Sequence, residues 1–405
     1  MSIHKDRQYY KFCFYGFLKN LRFFEAFFIL FLRKKGLTYT EIGSLYALRE
    51  IITNLAEVPT GIIADTYGRK KSLVFSFLAY ILSFLLFFTG ETYSWFLAAF
   101  LLFGTADAFR SGTHKAMIMD YLKFKRISEQ KIAYYGHTRA CSQRGSAISA
   151  LIAGIIVFYT GDYRMIFLWS IIPYILNMLL ILSYPPELDR DKSKHERSIV
   201  SSLHELWQAL RSPVVLSIVH SAAVFTAYQK AVKDYIQPVM KQVALSLPVL
   251  WAYQADKRTG LLIGLMYFIL YLLTSRASLM AGKLSERISN IPYKSLLVGF
   301  GAGIIAGYFF HLHYAWIALW AFTIIYIIES LRKPVLTGYL SDSVPNKILA
   351  SVLSVQSLYR TVLTSVLALL FGYLADLWGL GYALMVVSAF LWILNILTGK
   401  KSTGF

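Results

Sequence analysis

The stretch GIIADTYGRKK, residues 61–71, places one acid, two glycines and three basic residues in a connector barely a turn long between two long apolar runs. Those runs set the frame. Apolar residues make up 57% of the 405 positions and charged residues only 16%, well below the roughly 25% of soluble domains. A soluble all-α protein of this composition lacks the polar residues to cover its surface. The net charge of +19 fits either nucleic-acid binding or a membrane protein with basic cytoplasmic loops. The apolar runs, and the lack of a separate basic domain, decide for the membrane, so no nucleic-acid partner is expected. Cys13 and Cys141 are the only cysteines and imply no disulfide framework. The first apolar run holds Lys19, Arg22 and Glu25 and is followed by no small-residue cleavage site, so it reads as a span and not as a cleavable signal.

A span needs about 20 mainly apolar residues. Twelve stretches qualify: 9–32, 41–64, 72–90, 94–119, 131–158, 164–184, 213–237, 259–282, 294–311, 315–338, 349–375 and 380–398. Backbone polar groups in lipid must be satisfied internally, so these are predicted helices. Barrel strands would be shorter and would alternate in polarity. An even count puts both termini on one face. The basic connectors DTYGRKK, DYLKFKRISEQK, 185–212, GKLSERISNIPYK and GKKSTGF share that face, which is predicted to be cytoplasmic. LRKKG, ending at Gly36, is a basic exception on the other face, and snorkelling explains it better than anion attraction.

The only long polar stretch, 185–212, divides the chain into residues 1–184 and 213–405, each with six spans. Within it, SLHELWQAL reads as an amphipathic helix on the cytoplasmic membrane face. The halves also repeat. DAFRSGTHKAMIMD (107–120) ends the fourth span and ESLRKPVLTGYLSD (329–342) ends the tenth. Both read acid-x-x-Arg, with Asp ten residues after the Arg. GIIAD (61–65) likewise matches GKLSE (282–286). Repeats of this kind are typical of secondary transporters, with the substrate site at the repeat interface.

At this point the chain resembles the major facilitator superfamily. Gly61, Asp65, Gly68, Arg69 and Lys70 match that family's Gly-x-x-x-Asp-x-x-Gly-Arg-Lys/Arg loop between its second and third helices. The resemblance covers the whole chain. It implies an all-α integral membrane protein with twelve transmembrane helices as two pseudo-symmetric six-helix bundles. It also implies a conformational latch. In the family the acid matching Asp65 contacts a helix N-terminus of the other half, where the dipole favours negative charge. Gly61 is expected to let helices approach closely, Gly68 to permit the turn, and Arg69 to pair with Asp120. The second copy has Glu286 for the acid and lacks the Gly-Arg pair, so the latch is expected to be asymmetric.

Charges inside the membrane mark function or pairing by default. Spans three, six, nine and twelve carry none in their apolar stretches; the resemblance explains this, because every third helix of the fold faces lipid. The other eight spans hold twelve cations against six anions away from their extreme ends. That surplus favours an anionic substrate, because Arg binds carboxylate or phosphate bidentately. The substrate-binding candidates are Arg144, Arg360, Arg110, Arg332, Gln143, Asn54 and Arg22. Arg144 and Arg360 lead, since neither has an acid within a helical turn. Asp107/Arg110 and Glu329/Arg332 are each three apart on one helix face, so internal ion pairs compete with a substrate role there. Glu25, Glu50, Asp107 and Glu329 are the proton-coupling candidates, the first two foremost. His114 and His220 could also titrate near neutral pH but are more simply hydrogen-bonded.

HLH (311–313) has no third ligand nearby, and GFGAGIIAG (299–307) lies inside a span with no preceding strand, so neither a metal nor a nucleotide cofactor is expected. An enzyme or receptor would need clustered catalytic groups or a soluble output domain. The expected function is a secondary active transporter in a cell membrane, a bacterial inner membrane by expectation, with cytoplasmic termini. It would move a small, anionic solute by alternating access with proton coupling, and would act as a monomer. The alternative is proton-coupled efflux of drugs or lipophilic compounds. Exporters of that kind often carry Gly-Pro-x-x-Gly-Gly in span five, where this chain reads RGSAISALIAGIIV.

Overall fold

The computed structural model describes residues 5–127, 130–189, 213–287, 290–344 and 349–399. The expected amphipathic helix SLHELWQAL and the Glu286 side chain lie outside what is described. Among the described residues every regular element is helical. The α-helices are α1 (Arg7–Lys19), α2 (Phe28–Lys34), α3 (Tyr39–Tyr67), α4 (Arg69–Thr89), α5 (Tyr93–Arg110), α6 (Thr113–Phe124), α7 (Lys131–Thr160) and α8 (Met165–Leu182). They continue with α9 (Pro213–Val232), α10 (Ile236–Ser246), α11 (Ala255–Arg287), α12 (Ile291–His311), α13 (Ala315–Ser343), α14 (Leu349–Trp378) and α15 (Leu380–Gly399).

Among the described residues eight helices, α4, α7, α8 and α11 to α15, are each long and apolar enough to cross a membrane. The other four spans are polar or broken. Helix α3 carries Glu41, Arg49, Glu50 and Glu57. The first span stops at Lys19, resumes as a single 3-10 turn over Phe23–Ala26, and continues as α2. The fourth span breaks at Ser111–Gly112, where Gly112 adopts a φ of +74°, a conformation open to glycine at little cost. A 3-10 turn at Lys233–Tyr235 separates α9 from α10. The twelve-span reading holds, with three spans interrupted.

The described residues fall into two units. The first draws on 1–35, 48–194 and 248–271, the second on 36–47, 195–247 and 272–405. Two of the boundaries, after 47 and after 271, fall inside α3 and α11. In the first unit α4 packs on α5 and α8, and α1 on α7 and α8. In the second, α12 packs on α13 and α15, and α9 on α13 and α14. The spans without charge carry exposed apolar stripes. On α4, Phe75, Leu78, Leu82 and Leu85 are exposed at helical spacing, and on α15 so are Val386, Phe390, Ile393 and Leu397. Side chains of this kind tolerate acyl chains but not water.

Aromatic packing fills the first unit. Phe24, Phe28, Phe87 and Phe167 interlock with ring centroids 5.0–5.7 Å apart. Phe24 and Phe28 of this layer belong to the span that carries Arg22.

Candidate functional site

The chain break after α1 determines what Arg22 can reach. Helix α1 ends where the Asn20 amide donates to the Gly16 carbonyl at 2.7 Å. Arg22 then takes a non-helical conformation before the 3-10 turn. Its guanidinium comes to 3.8 Å from Asp107 Oδ1. Arg49 of α3 donates to Asp107 Oδ2 from Nη2 at 2.8 Å and from Nε at 3.2 Å. Arg110, one helical turn beyond Asp107 on α5, donates to Oδ1 at 3.1 Å. The Tyr80 hydroxyl of α4 donates to the same carboxylate and accepts from Arg110 Nε at 3.0 Å. Arg49 also lies 4.3 Å from the centroid of the Phe103 ring.

Three guanidiniums therefore converge on one buried carboxylate. Arg110 sits in the last turn of α5, where the helix dipole favours a cation. Asp107 by itself balances one of these three charges. Arg22 Nε is buried with no hydrogen-bond acceptor among the described residues. Glu25 acts on Arg22 and Lys19 electrostatically. Glu57 accepts from Ser111 Oγ at 2.7 Å, which ties α3 to the break after α5. On α3, the Asn54 amide donates to the Glu50 carbonyl at 3.1 Å, and both side chains are half-buried.

The second unit treats its repeat of the acid-x-x-Arg pattern differently. Arg332 is 1% exposed. It donates to the Pro292 carbonyl, the Ser221 carbonyl and Ser221 Oγ, each at 2.8 Å, and to Ser295 Oγ. Its guanidinium also lies 5.1 Å from the Phe225 ring centroid. Among the described residues it forms no ion pair with Glu329. Glu329 accepts from Thr226 Oγ1 at 2.9 Å. Arg360 on α14 donates to Ser357 Oγ at 2.8 Å and holds a buried Nε with no acceptor among the described residues. In the first unit Gln143 and Arg144 are exposed on α7. The histidines are hydrogen-bonded: His114 to the Tyr184 hydroxyl at 3.1 Å and His220 to the Tyr359 hydroxyl at 2.8 Å.

The GIIADTYGRKK connector forms its own cluster. Arg69, 5% exposed, donates to Asp65 at 3.1 Å and also binds Asp120. Gly68 has a φ of +110°, and a Cβ there would meet Asp189 Oδ1 at 2.8 Å. Asp189 Oδ1 accepts the Lys70 backbone N–H at 2.7 Å, and Lys70 Nζ donates to the Tyr184 carbonyl at 2.7 Å. A Cβ on Gly61 would meet nothing within 4 Å, so the expected close helix approach is not made there among the described residues. The Asp65 side chain is 56% exposed. Among the described residues no cluster of three or more His, Cys, Asp or Glu side chains is arranged to hold a metal ion.

Sequence reasoning missed three members of these clusters. Arg49 lies beside Glu50 on the second span, and nothing in its spacing points to Asp107, 58 residues on. Tyr80 lies on a span without charges, and its hydroxyl is hidden among aromatic residues in the sequence. Asp189 follows the sixth span, and nothing local in the sequence couples it to residue 70.

The description "Major Facilitator Superfamily" matches residues 13–366. A Bacillus subtilis (strain 168) protein named as an uncharacterized MFS-type transporter, YxaM, is 22% identical over 381 residues, covering 92% of this chain and 90% of that protein. The nucleoside transporter NupG superposes with a TM-score of 0.73 at 10% identity, over 96% of this chain and 98% of the other. A bacterial homologue of the human lysosomal transporter Spinster, solved inward-facing and unoccupied, gives 0.72 at 14% identity, over 96% and 98%. At these identities the solved structures show the fold alone.

Proposed function

The chain belongs to the Major Facilitator Superfamily, a family of membrane transporters, and from that premise we propose that it moves a small organic anion by proton-coupled alternating access. The convergence of Arg22, Arg49 and Arg110 on Asp107 carries the reading. Buried cations gathered at one point are costly, and an incoming carboxylate or phosphate would add a counter-charge to those of Asp107 and the nearby glutamates. Arg22 has an unused N–H, and a guanidinium suits such groups because it binds them through parallel N–H bonds. Arg360, with its own unused Nε, is the second-unit counterpart, with Asn54 lining the path. The halves 1–184 and 213–405 are the rocking bodies, and Asp65 with Arg69 is the cytoplasmic latch between them.

Glu329 is the carboxyl assigned to the proton. It accepts a single hydroxyl hydrogen bond and forms no ion pair among the described residues, whereas Asp107 is the counter-ion of three guanidiniums. Glu25 and Glu50 are the next proton candidates. The protein would work as a monomer in a bacterial plasma membrane with both termini cytoplasmic.

The test is purified protein screened by thermal shift against pooled metabolites and drugs, then reconstituted in liposomes under an imposed pH gradient. Stabilisation confined to carboxylates or phosphorylated solutes, with gradient-driven uptake of those solutes, is the expected result. Arg110→Gln should weaken apparent affinity by about tenfold or more, since a hydrogen bond to a charged group contributes about 1.5–3 kcal/mol. Stabilisation by lipophilic cations alone would select drug efflux instead.

A further inference from the structure

Arg144, exposed on α7, lies apart from the Asp107 cluster. It lines a cavity of about 600 Å³ with Tyr10, Phe14 and Phe17 of α1, Ile148 of α7 and Leu180 of α8. We propose that this groove binds a single-tailed amphipathic monocarboxylate, a fatty-acid type of molecule taken from the membrane leaflet, with its carboxylate on Arg144 and its tail between Phe14, Phe17, Ile148 and Leu180.

The walls argue for the tail. Tyr10, Phe14 and Phe17 follow each other at helical spacing on α1, and the rings of Phe14 and Phe17 stack at 6.3 Å with an interplanar angle of 6°. Cys141, Arg144 and Ile148 form the facing stripe on α7. The two helices close the floor at glycines: a Cβ on Gly145 would meet the Phe17 carbonyl at 2.4 Å, and one on Gly16 would meet Ser142 Oγ at 2.5 Å. On α8, Leu176, one turn before the lining residue Leu180, is exposed and apolar.

The charge argues for one carboxylate. Among the described residues Arg144 makes no hydrogen bond or ion pair, while the other basic residue at the rim, Lys11, donates to the Ser183 carbonyl at 2.6 Å. One unengaged guanidinium balances a monoanion, and its fork fits a carboxylate. The volume argues against a two-tailed lipid, since it lies within the range of about 300–1,000 Å³ that encloses one drug-sized ligand.

The test uses the full chain in nanodiscs of zwitterionic lipid, titrated with dansyl-undecanoate. Saturable binding is expected, displaced by dodecanoate but not by methyl dodecanoate or by added phosphatidylglycerol. Arg144→Gln should weaken it by about tenfold, the equivalent of about 1.4 kcal/mol, with Arg144→Lys retaining most of it. Arg22→Gln should leave it unchanged, which separates this groove from the transport reading. Arg144 is exposed, so unaltered gel-filtration profiles are expected for its variants. Equal displacement by the methyl ester, displacement by phosphatidylglycerol, or no effect of Arg144→Gln would each overturn the proposal.

Discussion

The Asp189 carboxylate accepts the backbone N–H of Lys70 at 2.7 Å, across 119 residues of chain. Helix α4 begins at Arg69, and its N-cap residue is Gly68, which has no side chain to satisfy the first N–H groups. The acid after the sixth span supplies the cap that the glycine cannot. The Asp189 backbone carbonyl also accepts from the Arg69 N–H at 3.1 Å, so the segment after α8 is fastened to the connector at two points.

Asp189→Ala should therefore destabilise the protein by about 1 kcal/mol, the usual cost of losing a cap. Asp189→Asn, which keeps an acceptor oxygen, should cost less. Melting midpoints of the purified variants in one detergent check the order. Equal midpoints for Ala and wild type would show that the contact does not stabilise the connector.

Asp107→Asn removes the carboxylate on which three guanidiniums converge. Breaking a buried ion pair from one side costs about 3–5 kcal/mol, because the remaining charges lose their partner. A large fall in the yield of monodisperse protein is expected. Pairing Asp107→Asn with Arg49→Gln should restore part of the yield, because it removes one of the stranded cations. A double variant no better than the single would mean that Asp107 does not act as their counter-ion.

Arg332 and Arg360 separate structure from ligand binding within one unit. Arg332, itself buried, donates to two backbone carbonyls and two hydroxyls, and its removal strips a buried charge-assisted network of its donor. Arg332→Gln should lower the melting midpoint in the absence of any solute, by the equivalent of about 3 kcal/mol or more. Arg360→Gln should leave that midpoint nearly unchanged and reduce the stabilisation gained from an anionic solute. Thermal melts of both variants, with and without the solute found in the screen, distinguish the two roles.

Asp65→Asn should slow transport while leaving the amount of protein in the membrane unchanged. The exposed carboxylate is available to a partner, and Arg69 retains Asp120 when Asp65 is neutralised. Initial uptake rates normalised to protein in the vesicles check this. Undiminished flux would remove Asp65 from the proposed latch.

These contrasts show where the sequence was informative. Helix content and span order follow from hydropathy, because lipid forces every backbone group into a helix. Asp107 and Arg110 are legible as a pair because they are three residues apart on one helix. Glu329 and Arg332 have the same spacing, yet Arg332 turns to carbonyls on neighbouring helices. Spacing says that two side chains share a face; it does not say whether a better partner stands opposite. The break at Asn20 to Arg22 was hidden for a similar reason, since no proline or glycine lies within it; the turn at Lys233–Tyr235 was legible, because Pro238 has no N–H for the Asp234 carbonyl and its ring crowds that carbonyl. Asp189 reaches the connector only through the packing of α4 against α8.

Glu329→Gln bears on the proton. The wild-type side chain accepts from Thr226 Oγ1, and a glutamine can still accept that bond through its amide oxygen, so the fold should survive. A glutamine cannot take up or release a proton. If Glu329 carries the coupled proton, the variant should exchange solute across the vesicle wall at a rate near wild type while failing to concentrate it against a gradient when the outside is acidified. Loss of both modes would place Glu329 in solute binding instead. Retention of both would move the proton to Glu25 or Glu50, whose Gln variants would then be the ones to separate exchange from accumulation.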